Sequence, residues 1–137
     1  MCPLDASALI DELLLSERLV SLLAVDPYGT PALYQILSPE AEVFPRIAIF
    51  ENDREYTAFA DDVPIEERVE FRVDMYAREN ILAPLNSALH EAMRQLGFRR
   101  SAQVEDGYIE ELDIYVKSAS YEINELLPLP WEGHCPE

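Results

Sequence analysis

Apolar residues return at three- and four-residue steps at the start of the chain. Leu9, Ile10, Leu13, Leu14, Val20 and Leu23 fall on one face, which predicts an amphipathic helix over about residues 6–24. Asp5 or Ser7 is placed to cap it, because either oxygen accepts an orphan backbone N–H. Asp26-Pro27-Tyr28-Gly29 supplies the turn chemistry that stops it. Residues 33–37 form a short strand candidate, and residues 46–50 a second one whose apolar run Ile47-Ala48-Ile49-Phe50 implies burial on both faces. The pattern weakens at Asn52-Asp53 and resumes over residues 55–60. Residues 67–76 alternate cleanly, with Val69, Phe71, Val73 and Met75 on one side and Glu70, Arg72, Asp74 and Tyr76 on the other. The charged stretch between these strands, residues 51–68, reads as an extended hairpin or projecting arm.

A second helix follows. Asn80 is its expected cap, and Pro84, tolerated only near a helix start, sets the beginning near residues 81–83. Leu85, Ala88, Leu89, Ala92, Met93 and Leu96 form its apolar stripe, and Gly97 supplies the positive φ that ends it. Arg94, Arg99 and Arg100 sit where the helix dipole favours cations. Residues 98–105 and 108–123 then pair as a hairpin through Asp106-Gly107, a strong turn signal. The order α-β-β-β-α-β-β predicts an α+β domain over residues 1–123, a mostly antiparallel sheet with two helices packed on it. Residues 124–137, with Pro128, Pro130 and Pro136, read as an extended tail.

At 137 residues the chain is long enough for one domain with a real core and no staple. Charge alters the picture more than composition does. Against 27 acidic residues stand 10 basic ones, for a net charge of −17. Gripping nucleic acid needs clustered cations, so DNA is not an expected ligand, and anionic membrane surfaces are disfavoured too. Cys2 and Cys135 lie at the two ends and read as free thiols, a disulfide between them requiring that the termini meet. No basic n-region precedes Leu13-Leu14-Leu15, and charged residues break that run, so neither a signal peptide nor a membrane span is expected. The expected site of synthesis is a cytoplasm.

The chain carries no recognisable catalytic set. His90 lies beside the apolar stripe of its helix and reads as a boundary residue, not a general base. His134 and Cys135 are two adjacent donors where a metal site needs three or four. Asp61-Asp62 and Glu66-Glu67 resemble carboxylate pairs, but neighbours on an extended chain point apart, so they read as a solvated charge run. Phosphate-loop, dinucleotide, EF-hand and nucleophile-elbow motifs are missing. No enzyme activity, cofactor or metal is expected. Aromatic residues say more: Tyr56, Phe59, Tyr76, Tyr115, Tyr121 and Trp131 are read on the outward strand face or in arms, where they suit a protein interface. Ordinary packing is the competing reading. Arg72 and Asp74, opposed by Lys117 and Asp113, are expected to pair across strands or between subunits.

Four pieces together carry a resemblance: Ala60-Asp61-Asp62, the strand VEFRVDMY ending in an aromatic, a helix ending Leu96-Gly97-Phe98 followed by basic residues, and a closing strand with Lys117 and Tyr121. Their order resembles the tail-terminator (tail-completion, head–tail joining) proteins of long-tailed bacteriophages and prophages. The resemblance implies a structural subunit that closes with its own copies into a ring, a hexamer, at the end of the tail. Its partners would be the tail-tube protein and the head-side connector, with DNA passing through unbound. On that reading Tyr56, Phe59, Asp61, Asp62, Glu66, Glu67, Arg72, Tyr76 and Trp131 are the candidate subunit or partner contacts. The alternative is a small acidic binding module, immunity- or inhibitor-like, that covers a basic partner.

Overall fold

The computed structural model of the protein describes residues 5–36 and 43–127. The elements run α1 (Ala6–Leu13), α2 (Glu17–Leu22), β1 (Leu33–Gln35), β2 (Arg46–Ala60), β3 (Val63–Ala77), α3 (Leu82–Gln95), β4 (Arg99–Ile109) and β5 (Ile114–Leu126). The strands form one sheet in the order β1-β2-β3-β5-β4. All pairings are antiparallel except β1 on β2. The helices pack on one face of it, which makes the α+β architecture that the pattern predicts.

The expected single first helix is two. Asp5 caps α1, its Oδ1 accepting from the Ala8 amide at 2.8 Å, so the cap is Asp5 and not Ser7. The helix breaks after Leu13, and Ser16 restarts it by accepting from the Leu19 amide. A serine inside an apolar period offers its hydroxyl to the backbone, and here that competition wins. Arg18 of α2 then reaches α3, pairing with Glu91 and donating to Ser87 Oγ at 3.1 Å.

Strand β3 is the centre of the sheet. Val69, Phe71, Val73 and Met75 are wholly buried against Leu85, Leu89 and Met93 of α3 and Leu9 and Leu13 of α1. Strand β2 is longer than the pattern implies because it does not stop at Asn52-Asp53. A register shift between Glu51 and Asp53 absorbs Asn52, whose side chain donates to Glu70 Oε1 at 2.6 Å. An extra residue in one strand breaks alternation without ending the ladder.

β2 and β3 therefore form one long hairpin; residues 51–68 are its outer part, along which β5 stays paired with β3 as far as Glu66 opposite Leu126. Ala60 pairs with Val63, which leaves a two-residue turn with φ of 51° at Asp61 and 65° at Asp62. Two positive φ values match the twist of the strands, and Asp tolerates them less well than Asn-Gly does. Asp61→Asn with Asp62→Gly is expected to raise stability by about 1 kcal/mol, a rise in melting midpoint of roughly 3–5 °C. A calorimetric scan with an unchanged or lower midpoint would reject this reading of the turn.

Helix α3 ends as expected. Gly97 has φ of 97°, the Phe98 amide donates to the Met93 carbonyl and the Gly97 amide to Arg94. Its start differs: Ile81, not Asn80, holds the cap position, with no side-chain bond. Pro84 occupies the third helical position, so one amide that a capping side chain would satisfy does not exist. The last hairpin also turns later than predicted. Asp106 and Gly107 stay in the ladder opposite Lys117 and Val116, and residues 110–113 make the turn, with φ of 54° at Asp113. The extra pairs set the Tyr108 ring 5.0 Å from that of Tyr115. β5 runs to Leu126, so the first residues of the expected tail belong to the sheet.

Candidate assembly surface

The sheet face away from the helices, and the hairpin that extends it, carry the residues of interest. At the hairpin end Asp61 and Asp62 are exposed. Just below them Tyr56 and Phe59 are 55% and 60% exposed and meet edge to face, with ring centroids 6.0 Å apart. Two large aromatic rings held in solvent on a paired strand lose little further entropy on docking, which suits a contact surface. Between residues 51 and 68 there are seven acidic and two basic residues, so this end of the molecule is strongly anionic.

The root of the arm holds its own charges in check. Arg54 pairs with Glu67 and with Glu51, and Glu67 is 6% exposed. On the outer face Arg68 takes up Asp53, Glu55 (3.0 Å) and Glu122 (2.8 Å), while Arg99 donates to Glu122 (2.9 Å) and Asn124 (2.9 Å). Glu66 accepts from Thr57 and Asn124, and Glu70 from Asn52 and Ser101. These bonds clamp β2, β3, β5 and β4 together with fixed polar partners.

The same bonds set an acid limit. Asn124 and then Thr57 hold the Glu66 carboxyl below its usual range. Burial pushes the Glu122 carboxyl up, and its bonds to Arg68 and Arg99 more than offset this, so it too titrates low. Asp26 is lowered chiefly by the Thr30 amide; burial works against this, while the Tyr28 amide and Tyr34 hydroxyl add to it. A carboxyl whose folded pKa is depressed adds stability above its unfolded value and loses it as pH falls through the folded one. Melting midpoints are therefore expected to fall below about pH 4, and less steeply in Glu122→Gln than in the wild type. Parallel pH profiles of the two proteins would contradict this.

The other end of the hairpin differs in sign. Arg46 lies over Phe44 (4.5 Å) and Tyr76 (5.0 Å), Arg78 over Phe44 (4.8 Å), and Arg72 over Phe50 (5.4 Å). Register explains the gathering, since Arg46 faces Tyr76 and Phe50 faces Arg72 across β2 and β3. Arg72 and Arg78 are exposed and Arg46 is half-buried. Beside them a cleft of about 330 Å³ is lined by Phe44, Pro45, Arg78, Glu79 and Ile81.

The structure thus separates the candidate contacts into three groups. Tyr56, Phe59, Asp61 and Asp62 share the exposed hairpin end. Glu66 and Glu67 lie across the ladder from Ala58 and Tyr56 but are bonded within the subunit. Arg72 and Tyr76 belong to the far end, and Trp131 lies outside the described residues, as do Cys2, His134 and Cys135. Arg72 pairs along its own strand with Asp74 (2.9 and 2.8 Å), whose carboxylate also accepts across the strands from Ser118 (2.7 Å). Lys117 pairs with Asp106, and Asp113 accepts from the Tyr108 hydroxyl. Tyr121 is not outward: it is wholly buried in the core, its hydroxyl 3.2 Å from His90 Nδ1, and Tyr115 packs against the same core. In β5 the sheet alternation puts Ala119 and Tyr121 on the helix side. His90 is half-buried beside it, the boundary position expected.

Phe44, Arg46, Phe50 and Arg78 were not visible as a group in the sequence. They are spread over 35 positions, and only the β2–β3 register brings them together. Among the described residues no cluster of three or more His, Cys, Asp or Glu is arranged to hold a metal, and no helix is long and apolar enough to cross a membrane.

Neither a family model nor a curated protein matches the sequence. A chain in a solved structure described as the virion of a native gene transfer agent (GTA) particle is similar in fold. It aligns with a TM-score of 0.60 at 12% identity, over 88% of this chain and 93% of that one. At that identity the likeness is one of fold, and it spans nearly the whole of both chains.

Proposed function

We propose that this protein is a structural subunit of a phage-like particle, and that its role is that of a tail terminator: a ring of identical subunits, a hexamer, that caps the tail tube and joins it to the head connector. The observation that carries this reading is the fold likeness to a virion chain over nearly the full length of both. The long hairpin supports it, because its end exposes two aromatic rings that suit a contact with a neighbour. Head-to-tail contacts between identical subunits close into a ring when the rotation returns on itself. The mechanism is surface matching without chemistry: one ring face seats on the last tube ring and the other blocks further addition. The acidic surface lets DNA pass, because few cations are available to release its counterions. On this reading the protein is not an enzyme. It is made in the host cytoplasm and ends in the virion tail, with the tube protein and the connector as partners.

Light scattering of the purified protein over a dilution and salt series tests this, with and without isolated tail tubes. A particle of about six subunit masses, free or seated on tube ends, is the expected result. A monomer under all these conditions that captures one basic protein would favour the alternative, an acidic binding module.

A further inference from the structure

We propose that the acidic, aromatic end of the β2–β3 hairpin docks on the arginine–aromatic patch at the base of the same hairpin in a neighbouring copy. This names the subunit contact of the ring and rests on the ring reading above. Four observations converge on it. The hairpin end presents Asp61 and Asp62 with Tyr56 and Phe59 exposed beneath them. The base presents Arg46 and Arg78 on the rings of Phe44 and Tyr76, with Arg72, itself paired to Asp74, over Phe50, in a chain with ten cations and a net charge of −17. A cleft of about 330 Å³, lined by Phe44, Pro45, Arg78, Glu79 and Ile81, is large enough to receive an aromatic side chain. The fourth is distance. The 15 residues of β2 span roughly 45 Å, and its two ends carry the two surfaces, so they cannot meet within one subunit.

The contact is heterologous: each copy offers one end and receives the other, as a ring requires. Carboxylates meeting guanidiniums fix the approach and orientation, and an aromatic ring entering the cleft supplies buried area. Salt screens the charged part, so self-association weakens as ionic strength rises.

Charge reversal tests it. One protein carries Asp61→Lys and Asp62→Lys, a second carries Arg46→Glu and Arg78→Glu, and a third carries all four changes. Circular dichroism and melting confirm that each is folded, and analytical ultracentrifugation reads assembly. Each of the first two is expected to self-associate on the order of 10- to 100-fold more weakly than the wild type. Their equimolar mixture regains assembly in which the two alternate, and so does the third protein alone. Asp61→Asn with Asp62→Gly serves as a second probe that suits the turn: it melts higher yet assembles more weakly. Wild-type assembly with unchanged affinity in the reversed proteins and in this neutral variant overturns the contact and leaves the ring reading standing. A wild-type protein that stays monomeric even with tail tubes fails the ring reading and takes the contact with it. DNA binding that vanishes with Arg46→Glu and Arg78→Glu while oligomer mass is unchanged reassigns the patch to nucleic acid and also overturns the contact.

Discussion

Phe71→Ala is expected to lower the stability of the folded subunit by about 3–5 kcal/mol. Phe71 is wholly buried on β3, the central strand, between Glu51 of β2 and Tyr121 of β5. Its ring meets Phe98 edge to face, with centroids 5.9 Å apart and planes at 64°. Truncation removes the ring's burial, breaks that aromatic pair and leaves a hole beneath α3 that rigid strands on both sides cannot close. Small domains have about 5–15 kcal/mol in total, so the variant keeps little reserve. Its melting midpoint should drop by roughly 10–20 °C, whereas Phe71→Leu, which refills most of the volume, should lose about a third as much. Urea denaturation of the three proteins checks the order. A loss under about 1 kcal/mol for the alanine variant would show that the core does not centre on this ring.

Arg54→Ala is expected to cost about 2–3 kcal/mol. The loss comes less from the broken ion pair than from the carboxylate left behind. Glu67 has a side chain 7% exposed, and Arg54 is its cationic partner. A buried carboxylate without its partner must stay charged in a poor medium or take up a proton. The figure sits below that for a fully buried pair because the Arg54 side chain is 24% exposed, and water screens part of the interaction. Adding Glu67→Gln to Arg54→Ala should recover part of the loss, since the amide carries no charge to strand. A double mutant as unstable as the single arginine variant would refute the account and point to lost packing of the Arg54 stem. Glu67, 6% exposed and paired with Arg54, is thus placed to hold β2 and β3 together.

What sequence reasoning could reach here follows the range of the interactions. Alternation in residues 67–76, the stripe of α3 and its Gly97 ending are written in neighbouring residues, and all three stand in the structure. Failures lie where two local signals compete or where a distant strand decides. Ser16 outbids the apolar period of the first helix, the cap position of α3 falls on Ile81 with Pro84 at the third helical position, and the ladder with its Tyr108–Tyr115 ring contact runs past a strong turn pair at Asp106-Gly107. The aromatic end of the arm was legible because Tyr56 and Phe59 interrupt a charged stretch. The arginine–aromatic patch was not, since its members sit apart in the chain and meet only through cross-strand register. Tyr121 was misplaced for a related reason: which side of β5 faces inward depends on its pairing with β3, and a lone tyrosine does not reveal that.

The sheet order also bears on how the chain emerges from a ribosome. β2 and β3 are adjacent in sequence and close on each other through a two-residue turn, so this hairpin can zip as soon as it is made. β5, the other neighbour of β3, is synthesised only after α3 and β4. For that interval β3 has an open edge beside the apolar row Val69, Phe71, Val73 and Met75, the composition that recruits other nascent chains. Glu66, Arg68, Glu70 and Arg72 alternate with that row and put a charge at every second position along the waiting edge. Those residues, described above as partners in a finished network, act earlier as gatekeepers during synthesis. A fragment ending at Gly97 should remain soluble with these charges and precipitate when Glu66 and Glu70 are made valine, a difference that sedimentation of translation products would reveal.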